Sequence, residues 1–334
     1  MAAGLLAAAA AVLLLPAPGC GDGGQKGASR GAGKVVVFTS LDDMFSRPIV
    51  AEFEKKTGIQ VDFVTDTEAV KTLGLVNRLI SRKDNPEADV FWNNEVMNTI
   101  VLKNKGLLEK YVPANAKDIP AEFKDPEGYW TGFAARARVI LYNTKMVKPE
   151  DAPKSIRDLA KPVFKGKAAI AKPLFGTTCT HAAALFLTLG EDKAKDLFKS
   201  LKANEVNVVP GNAMARNKVV DGECAVCLTD TDDAYGAILK KAPVEMVYPD
   251  QDGEGTLVIP NAVMLIKGGP NPENAMKLID FLVTREVEEM LAKSKAAQIP
   301  VRPDIPVSDE RFRMDKIRAT KVDWTKVASQ VEAM

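Results

Sequence analysis

Apolar residues along the chain alternate between short continuous runs and longer stretches with helical spacing. Residues 35–38 form a continuous β-branched and aromatic run, which predicts a strand buried on both faces. Residues 48–57 have helical spacing, with Pro48 near the start and Gly58 just after the end. The same succession predicts strands at 60–64 and 88–92 and helices at 67–82 and 96–105. This rhythm predicts a parallel sheet with right-handed crossovers.

A second α/β unit is predicted after a strand at 137–143. Its predicted strands are 168–171, 206–209 and 224–228, and its predicted helices are about 177–189, 192–202 and 213–221. Apolar runs at 257–259 and 262–266 follow, and one long helix is predicted over 274–293. Because 334 residues exceed what one compact core usually serves, we expect two lobes.

The amino-terminal region has the features of an export signal. Residues 5–15 are apolar throughout, too short to span a bilayer but long enough for a signal-peptide core. The small residues that lead to Cys20 resemble the lipobox of bacterial lipoproteins, so we expect residues 1–20 to be a signal peptide and Cys20 to be lipidated. Plain secretion, with Cys20 removed or free, is the alternative. The Gly-rich residues 21–33 predict a flexible tether.

Charge and cysteine content narrow the function further. The 45 basic and 44 acidic residues nearly cancel, which argues against nucleic acid as a partner and places specificity in a local site. Cys224 and Cys227 lie in an apolar run that predicts a strand, where their side chains would point to opposite faces. They are therefore interpreted as small core residues rather than zinc ligands, although one disulfide between Cys179 and either of them stays open.

Several stretches from residue 34 to residue 303 together resemble a known family, the bacterial extracellular solute-binding proteins of family 1, in their ferric-binding-protein-like branch. The stretches are VVVFTSLDD, IVAEFEKKTGIQV, EADVFWNNE, GLLEKY, WTGFAARARVILYNT, PGNAMARNKVVDGECAVCLTDTDDA, TLVIPNAVMLIKGGPNPENAMKLIDFL and AQIPVRP. The resemblance implies the type II periplasmic-binding fold, in which two α/β lobes with mixed, mostly parallel sheets are joined by crossing strands. It also implies an ABC permease and an ATPase as partners of a monomeric protein on the periplasmic side of the membrane.

The lobe boundaries follow from this implied fold. Lobe 1 is expected to comprise residues 34–133 and 262–300, and lobe 2 residues 134–261. Residues 301–334 are expected to form a helical segment packed on lobe 2. The lobes should close by a hinge near residues 132–138 and 258–263.

Polar residues follow the ends of four predicted strands, where ligands bind in open α/β sheets. Ordinary solvated loops are the alternative for each of them. The predicted ligand-binding residues are Ser40, Asp42, Trp92, Asn93, Asn94, Arg136, Tyr142, Gly176, Thr177, Thr178, Asn212, Asp230, Asp232 and Asp233.

One part of this set predicts an anion site. Gly176, Thr177 and Thr178 open a helix, whose unpaired N–H groups and hydroxyls suit an anion, although an ordinary helix cap would look the same. In the family, this position and that of Asn212 contact a phosphate-like anion. Arg136, Arg138 and Tyr142 share one face of the crossing strand, where an arginine could bind a carbonate, phosphonate or carboxylate, and at least one arginine is expected to form a hinge salt bridge.

The four aspartates predict a cation site. Relatives in the branch bind iron through two adjacent tyrosines, where this chain has Asp232 and Asp233, and Asp42 and Asp230 complete the predicted set of metal ligands. Converging carboxylates need a cationic partner, so we expect a hard metal ion bridged to an anion as the transported ligand. A zwitterion such as an aminophosphonate, or a polyamine with Trp92 as a cation–π face, is the alternative. His181 is interpreted as a helix-surface or packed residue rather than a ligand.

The sequence lacks the common motifs that indicate an enzymatic function. The sequence contains none of the common nucleophile, zinc-protease, phosphate-loop or dinucleotide motifs, and its single histidine leaves few general bases. We therefore expect a solute-binding protein without a cofactor, and keep an enzyme or a lipoprotein sensor on the same fold as the minor alternatives.

Overall fold

The computed structural model describes residues 33–65, 71–174 and 176–333. The predicted signal peptide, Cys20 and nearly all of the tether lie outside these residues, as do the start of the predicted helix 67–82 and Phe175. The strands are β1 (Lys34–Thr39), β2 (Gln60–Thr65), β3 (Val90–Asn93), β4 (Leu108–Glu109), β5 (Thr131–Asn143), β6 (Ala168–Ala171), β7 (Asn207–Val209), β8 (Val226–Asp230), β9 (Val244–Val247) and β10 (Val258–Ile266).

The α-helices cover both faces of these strands. They are α1 (Asp43–Thr57), α2 (Lys71–Ser81), α3 (Met97–Asn104), α4 (Gly176–Leu189), α5 (Glu191–Ala203), α6 (Asn212–Val220), α7 (Thr231–Leu239), α8 (Pro272–Leu282), α9 (Arg285–Lys293) and α10 (Trp324–Ala333). In the part of the chain that the structure describes, no helix is long and apolar enough to cross a membrane.

The strands form two parallel groups joined through β5 and β10. In lobe 1, β1 lies between β2 and β3 and is parallel to both, and β10 runs antiparallel to β3. In lobe 2, β6 lies between β7 and β8, again parallel, and β5 runs antiparallel to β8 and β9. The first half of β5 pairs with β10 and its second half pairs with lobe 2, so the strand passes from one lobe to the other. This is the predicted pair of α/β units joined by crossing strands.

The crossing region is tightly packed. A side chain at Gly132 would meet the carbonyl oxygen of Phe123 at 2.7 Å and the Cβ atom of Pro260 at 3.1 Å, so only glycine fits there. All thirteen residues of β5 and all nine of β10 are buried. The crossing strands are therefore part of the core rather than exposed linkers.

Three predicted elements differ from the observed ones. Helix α1 begins at Asp43, ahead of the predicted start, and contains Pro48 in its second turn. The single helix predicted over 274–293 is wrong, because the chain breaks after α8 and Thr284 caps α9 by accepting a hydrogen bond from the N–H of Val287 at 3.3 Å. The segment after residue 301 contains only two short 3-10 helices before α10.

Helix α10 contacts helices of both lobes. Trp324, Val327 and Ala328 are buried in one apolar cluster with Leu102 of α3 and Ala183 of α4. The carboxyl-terminal helix therefore packs against lobe 1 as well as lobe 2.

The three cysteines that the structure describes have free thiols. Cys224 and Cys227 are buried in the core, Cys224 just before β8 and Cys227 within it. Burial is the main cause that raises the pKa of each of these thiols. Both therefore pack as small apolar residues, as the sequence indicates.

Candidate functional site

Three helices of lobe 2 begin at the same edge of its sheet. Helix α4 follows β6, α6 follows β7 and α7 follows β8, so their amino ends meet at the carboxyl ends of the three parallel strands. The first N–H groups of a helix have no partner within it, and the helix dipole makes this end positive. The edge therefore presents N–H donors from three directions.

Arg138 and Asp230 tie these helices together. The Arg138 side chain is fully buried, and its Nη1 donates to Asp230 Oδ1 at 2.5 Å. The other oxygen of Asp230 accepts from Thr177 Oγ1 at 2.7 Å and from Asn212 Nδ2 at 2.9 Å. Arg138 Nη2 donates to Thr178 Oγ1 at 3.2 Å. One ion pair thus positions the starts of α4 and α6 relative to β5 and β8.

Two further ion pairs lie beside this network. Arg136, two residues earlier on β5, lies 3.2 Å from Asp232 in the first turn of α7. Arg216 of α6 donates to Asp233 Oδ1 at 3.1 Å, while Asp233 Oδ2 accepts from Thr229 Oγ1 at 3.3 Å. The side chains of Asp232 and Asp233 are each 18% exposed, so both pairs are largely removed from water.

Burial and mutual repulsion shift the titration of these groups. Burial is the main cause that raises the pKa of Asp232; Arg136 opposes the shift, and the charges of Asp230 and Asp42 add to it. Burial and the neighbouring Asp232 raise the pKa of Asp233 to about 8. Burial alone would lower the pKa of Arg136, but the surrounding carboxylates, Asp232 first, give a net upward shift. These surroundings therefore favour the charged form of Arg136 and the protonated forms of Asp232 and Asp233.

Lobe 1 contributes an amide and hydroxyl network at the ends of β1 and β3. Ser40 Oγ lies 2.8 Å from Asn93 Oδ1 and 3.0 Å from Asn94 Oδ1, and it accepts the N–H of Asn94 at 2.8 Å. Asn93 is fully buried and also donates to Glu95 at 3.0 Å. This network holds the half-buried Asn94 in place.

Asp42 brings a lobe 1 charge into the site of lobe 2. It precedes α1, and its charge acts on both Arg136 and Asp232. Among the predicted residues of lobe 1, Asp42 is thus the one whose charge reaches the predicted residues of lobe 2.

Two predicted ligand contacts are not available as the sequence suggests. Trp92 is fully buried in the core of lobe 1, with its ring centroid 5.7 Å from that of Phe133, so it presents no cation–π face. Tyr142 is on β5 but four residues beyond Arg138, roughly 13 Å along the strand, and packs among the apolar residues of lobe 2. Both aromatic side chains are core residues.

Asp230, Asp232 and Asp233 lie close together, and each has an arginine partner. Oxygen atoms of Asp230, Asp232 and Asp233 lie within 4.8 Å of one another, a spacing that a metal ion could bridge. However, each of the three is already paired with an arginine. Strand β5 and helix α6 thus provide a cation for each carboxylate, and a metal ion at this site would have to compete with these arginines.

Sequence reasoning missed Arg216 and Thr229. Arg216 lies in a polar stretch of α6 that resembles a solvated helix surface, and only the fold brings it to Asp233. His181 is buried in α4, as expected of a packed residue, and burial lowers its pKa to about 3. Its Nδ1 has no hydrogen-bond partner among the described residues.

Curated proteins and solved structures are similar to this chain over most of its length. Iron uptake protein A1 of Synechocystis is 29% identical over 82% of this chain and 78% of its own length. A periplasmic protein of Salmonella typhimurium named for binding 2-aminoethylphosphonate is 26% identical, covering 84% of this chain and 82% of its own. The crystal structure of apo ferric ion-binding protein A from Pasteurella haemolytica is 26% identical, with a TM-score of 0.80 over 90% of this chain and 95% of that one.

These relatives confirm the fold class and the class of function predicted from the sequence. They include proteins named for binding ferric iron and 2-aminoethylphosphonate, which represent two of the three ligand classes that the sequence left open. A family profile described as bacterial extracellular solute-binding protein matches residues 85–328. This chain belongs to that family.

Proposed function

We propose that this protein captures a small zwitterionic solute, with a phosphonate, phosphate or carboxylate group and an amine, and delivers it to an ABC permease. One observation carries the proposal: Arg136 Nη2 is buried, beside the cleft residues Asp232 and Asp42, without a hydrogen-bond partner in the described chain. A buried guanidinium donor without a partner costs free energy unless a ligand accepts from it.

The anionic group of the ligand would bind where the lobe 2 helices begin. Arg138 Nε is a second buried donor that no described residue accepts from. The N–H groups at the starts of α4 and α6 add uncharged donors and the positive ends of two dipoles. An oxyanion with two or three oxygens could accept from several of these groups at once.

The amine would bind on the side of the outer carboxylates. Asp232 and Asp233 lie on this side of the site, where they pair with Arg136 and Arg216, and the charge of Asp42 also acts on Asp232. An ammonium group beside them would favour the ionised forms of Asp232 and Asp233, whose pKa values burial raises. A ligand with charges of both signs thus complements both halves of the site.

Isothermal titration calorimetry with 2-aminoethylphosphonate and ethylphosphonate tests the proposal. The first should bind at least tenfold more tightly, because only it carries the amine. Arg136→Gln should weaken binding of 2-aminoethylphosphonate by roughly 10- to 100-fold. Arg157→Gln is the matched control, since Arg157 pairs with Glu254 on the surface of the same lobe. Equal affinity for both phosphonates would refute the role of the carboxylates.

A metal ion with a synergistic anion is the second candidate, favoured by the convergence of the three aspartates. A metal would have to displace Arg136 and Arg216 from Asp232 and Asp233. Because carboxylates replace the tyrosines here, an iron-loaded form should lack the strong phenolate-to-iron absorption band of tyrosine-ligated sites. Metal analysis and the visible spectrum after dialysis against ferric citrate and phosphate would detect this form.

We place the protein on the periplasmic side of the membrane, tethered through a lipid on Cys20 and without enzymatic activity. The apolar residues 5–15 and the small residues before Cys20 support this placement. Cys20→Ala should release the body from membranes into the soluble fraction. A wild-type protein that is already soluble, with its mature amino terminus beyond Gly21, would contradict the anchor.

A further inference from the structure

The crossing strands are interrupted at one residue, Ala134. Ala135 pairs with Pro260 and Phe133 pairs with Asn261, so Ala134 is an extra residue without a partner in the ladder. Its φ is 40°, in the left-handed region that favours glycine. Such bulges usually place glycine at the left-handed position, so an alanine there is strained.

The backbone groups of Ala134 bond to side chains instead of a strand. Its N–H donates to Glu288 Oε1 at 2.7 Å, and its carbonyl accepts from Asn261 Nδ2 at 2.8 Å. Glu288 Oε1 also accepts the N–H of Val301 at 2.8 Å, and the buried Arg302 neutralises the Glu288 charge at 2.6 Å. Ala134 is thus held by side chains that could release it without breaking a sheet.

A third chain segment reaches the same point. Ile299 exchanges two backbone hydrogen bonds with Ala135, at 2.6 and 2.7 Å. Two residues earlier in this segment, Ala297 has a φ of 42°, a second left-handed alanine. Three passages of the chain therefore converge where the lobes join, and two of them carry strained residues.

Two buried polar atoms at this point have no partner among the described residues: Asn261 Oδ1 and Gln298 Nε2. Their orientation is fixed, because Asn261 Nδ2 must face the carbonyls of Phe133 and Ala134, and Gln298 Oε1 must then accept from it. Rotating either amide by 180° would bring like groups together. Unpaired buried polar groups are rare in native proteins and are costly, so a state in which these atoms gain partners would be favoured at this point.

We infer that Ala134, Asn261 and Gln298, here called the pivot cluster, form a two-state latch between the lobes. In the present state Ala134 is left-handed and the two amide atoms are unpaired. In the other state Ala134 leaves the left-handed region, the bulge shifts, and the amides gain partners. The lobes turn about this residue as they move, and the strain of the present state sets the balance between the two positions.

Distances between spin labels on the two lobes test the latch. Val112→Cys in lobe 1 and Val163→Cys in lobe 2 provide exposed sites, since the native residues are 75% and 69% exposed. Cys20→Ala and Cys179→Ser remove competing thiols. Pulsed electron–electron double resonance on the ligand-free protein should show two distances between the spin labels. Ala134→Gly should shift their ratio about fivefold toward the separation in this structure, because glycine adopts this φ without strain.

Ala135→Gly is the matched control, since this neighbour is equally buried but pairs normally with Pro260 and Ile299. It should leave the ratio unchanged. A single separation in every variant, or equal shifts in Ala134→Gly and Ala135→Gly, would overturn the inference. Neither outcome depends on which solute the cleft binds.

Discussion

Removing one member of the Arg138–Asp230 ion pair should destabilise the protein strongly. Both side chains are almost fully buried, so Asp230→Asn leaves the Arg138 guanidinium charged and uncompensated inside lobe 2. Breaking a buried pair in this way costs about 3–5 kcal/mol. The new amide group would also face the donors of Thr177 and Asn212, which now bond to Asp230. We expect a loss at the upper part of that range.

Urea unfolding followed by tryptophan fluorescence measures this loss. Arg138→Met should lower the free energy of unfolding by a similar amount. The double variant removes both charges, so its loss should be smaller than the sum of the two single losses, with a coupling energy of about 1–3 kcal/mol. Arg157→Met breaks the exposed pair with Glu254 and should cost less than about 1 kcal/mol. A loss below about 1 kcal/mol for Asp230→Asn, or strict additivity in the double variant, would show that the pair is not the frame of the site.

Three further predictions concern titration, the core and a helix cap. The pKa of Asp233 is raised from 3.8 to about 8 in the folded protein, so the urea midpoint of unfolding should fall as the pH rises from about 4 to 8. Asp233→Asn should make this fall smaller, because the amide does not titrate. Trp92→Phe should lower the free energy of unfolding and leave the affinity for 2-aminoethylphosphonate, measured by calorimetry, unchanged. A loss of affinity would show that Trp92 contributes to the binding site. Thr284→Ala should cost about 1 kcal/mol by removing the cap of α9, and an unchanged melting temperature would argue against that cap.

The order of strands and helices was predictable because each carries its own periodicity. The strand at 168–171 was placed as observed, since a continuous apolar run bounded by lysines has few other interpretations. The break at Thr284 was not predictable in the same way. Apolar residues continue at helical spacing on both sides of it, and only the cap hydrogen bond to Val287 separates α8 from α9.

The candidate site was predictable in its location but not in its electrostatics. The polar ends of the parallel strands indicated the edge, and Thr177, Asn212 and Asp230 do meet there. The arginine partners of the aspartates could not be predicted from the sequence, because Arg216 is separated from Asp233 by a turn and a whole strand. Pairing of this kind depends on how α6 packs beside α7.

The Arg138–Asp230 network also bears on how the ligand preference of such a protein can change. Both carboxylate oxygens of Asp230 accept hydrogen bonds from Arg138, Thr177 and Asn212, so Asp230 holds together the frame that these four residues form. Asp233 lies three residues further along the chain, and its side chain pairs with the partly exposed Arg216 rather than with a member of that frame. Substitutions at Asp233 should therefore disturb the lobe less than substitutions at Asp230, which leaves this position open to natural variation or to engineering toward a new solute.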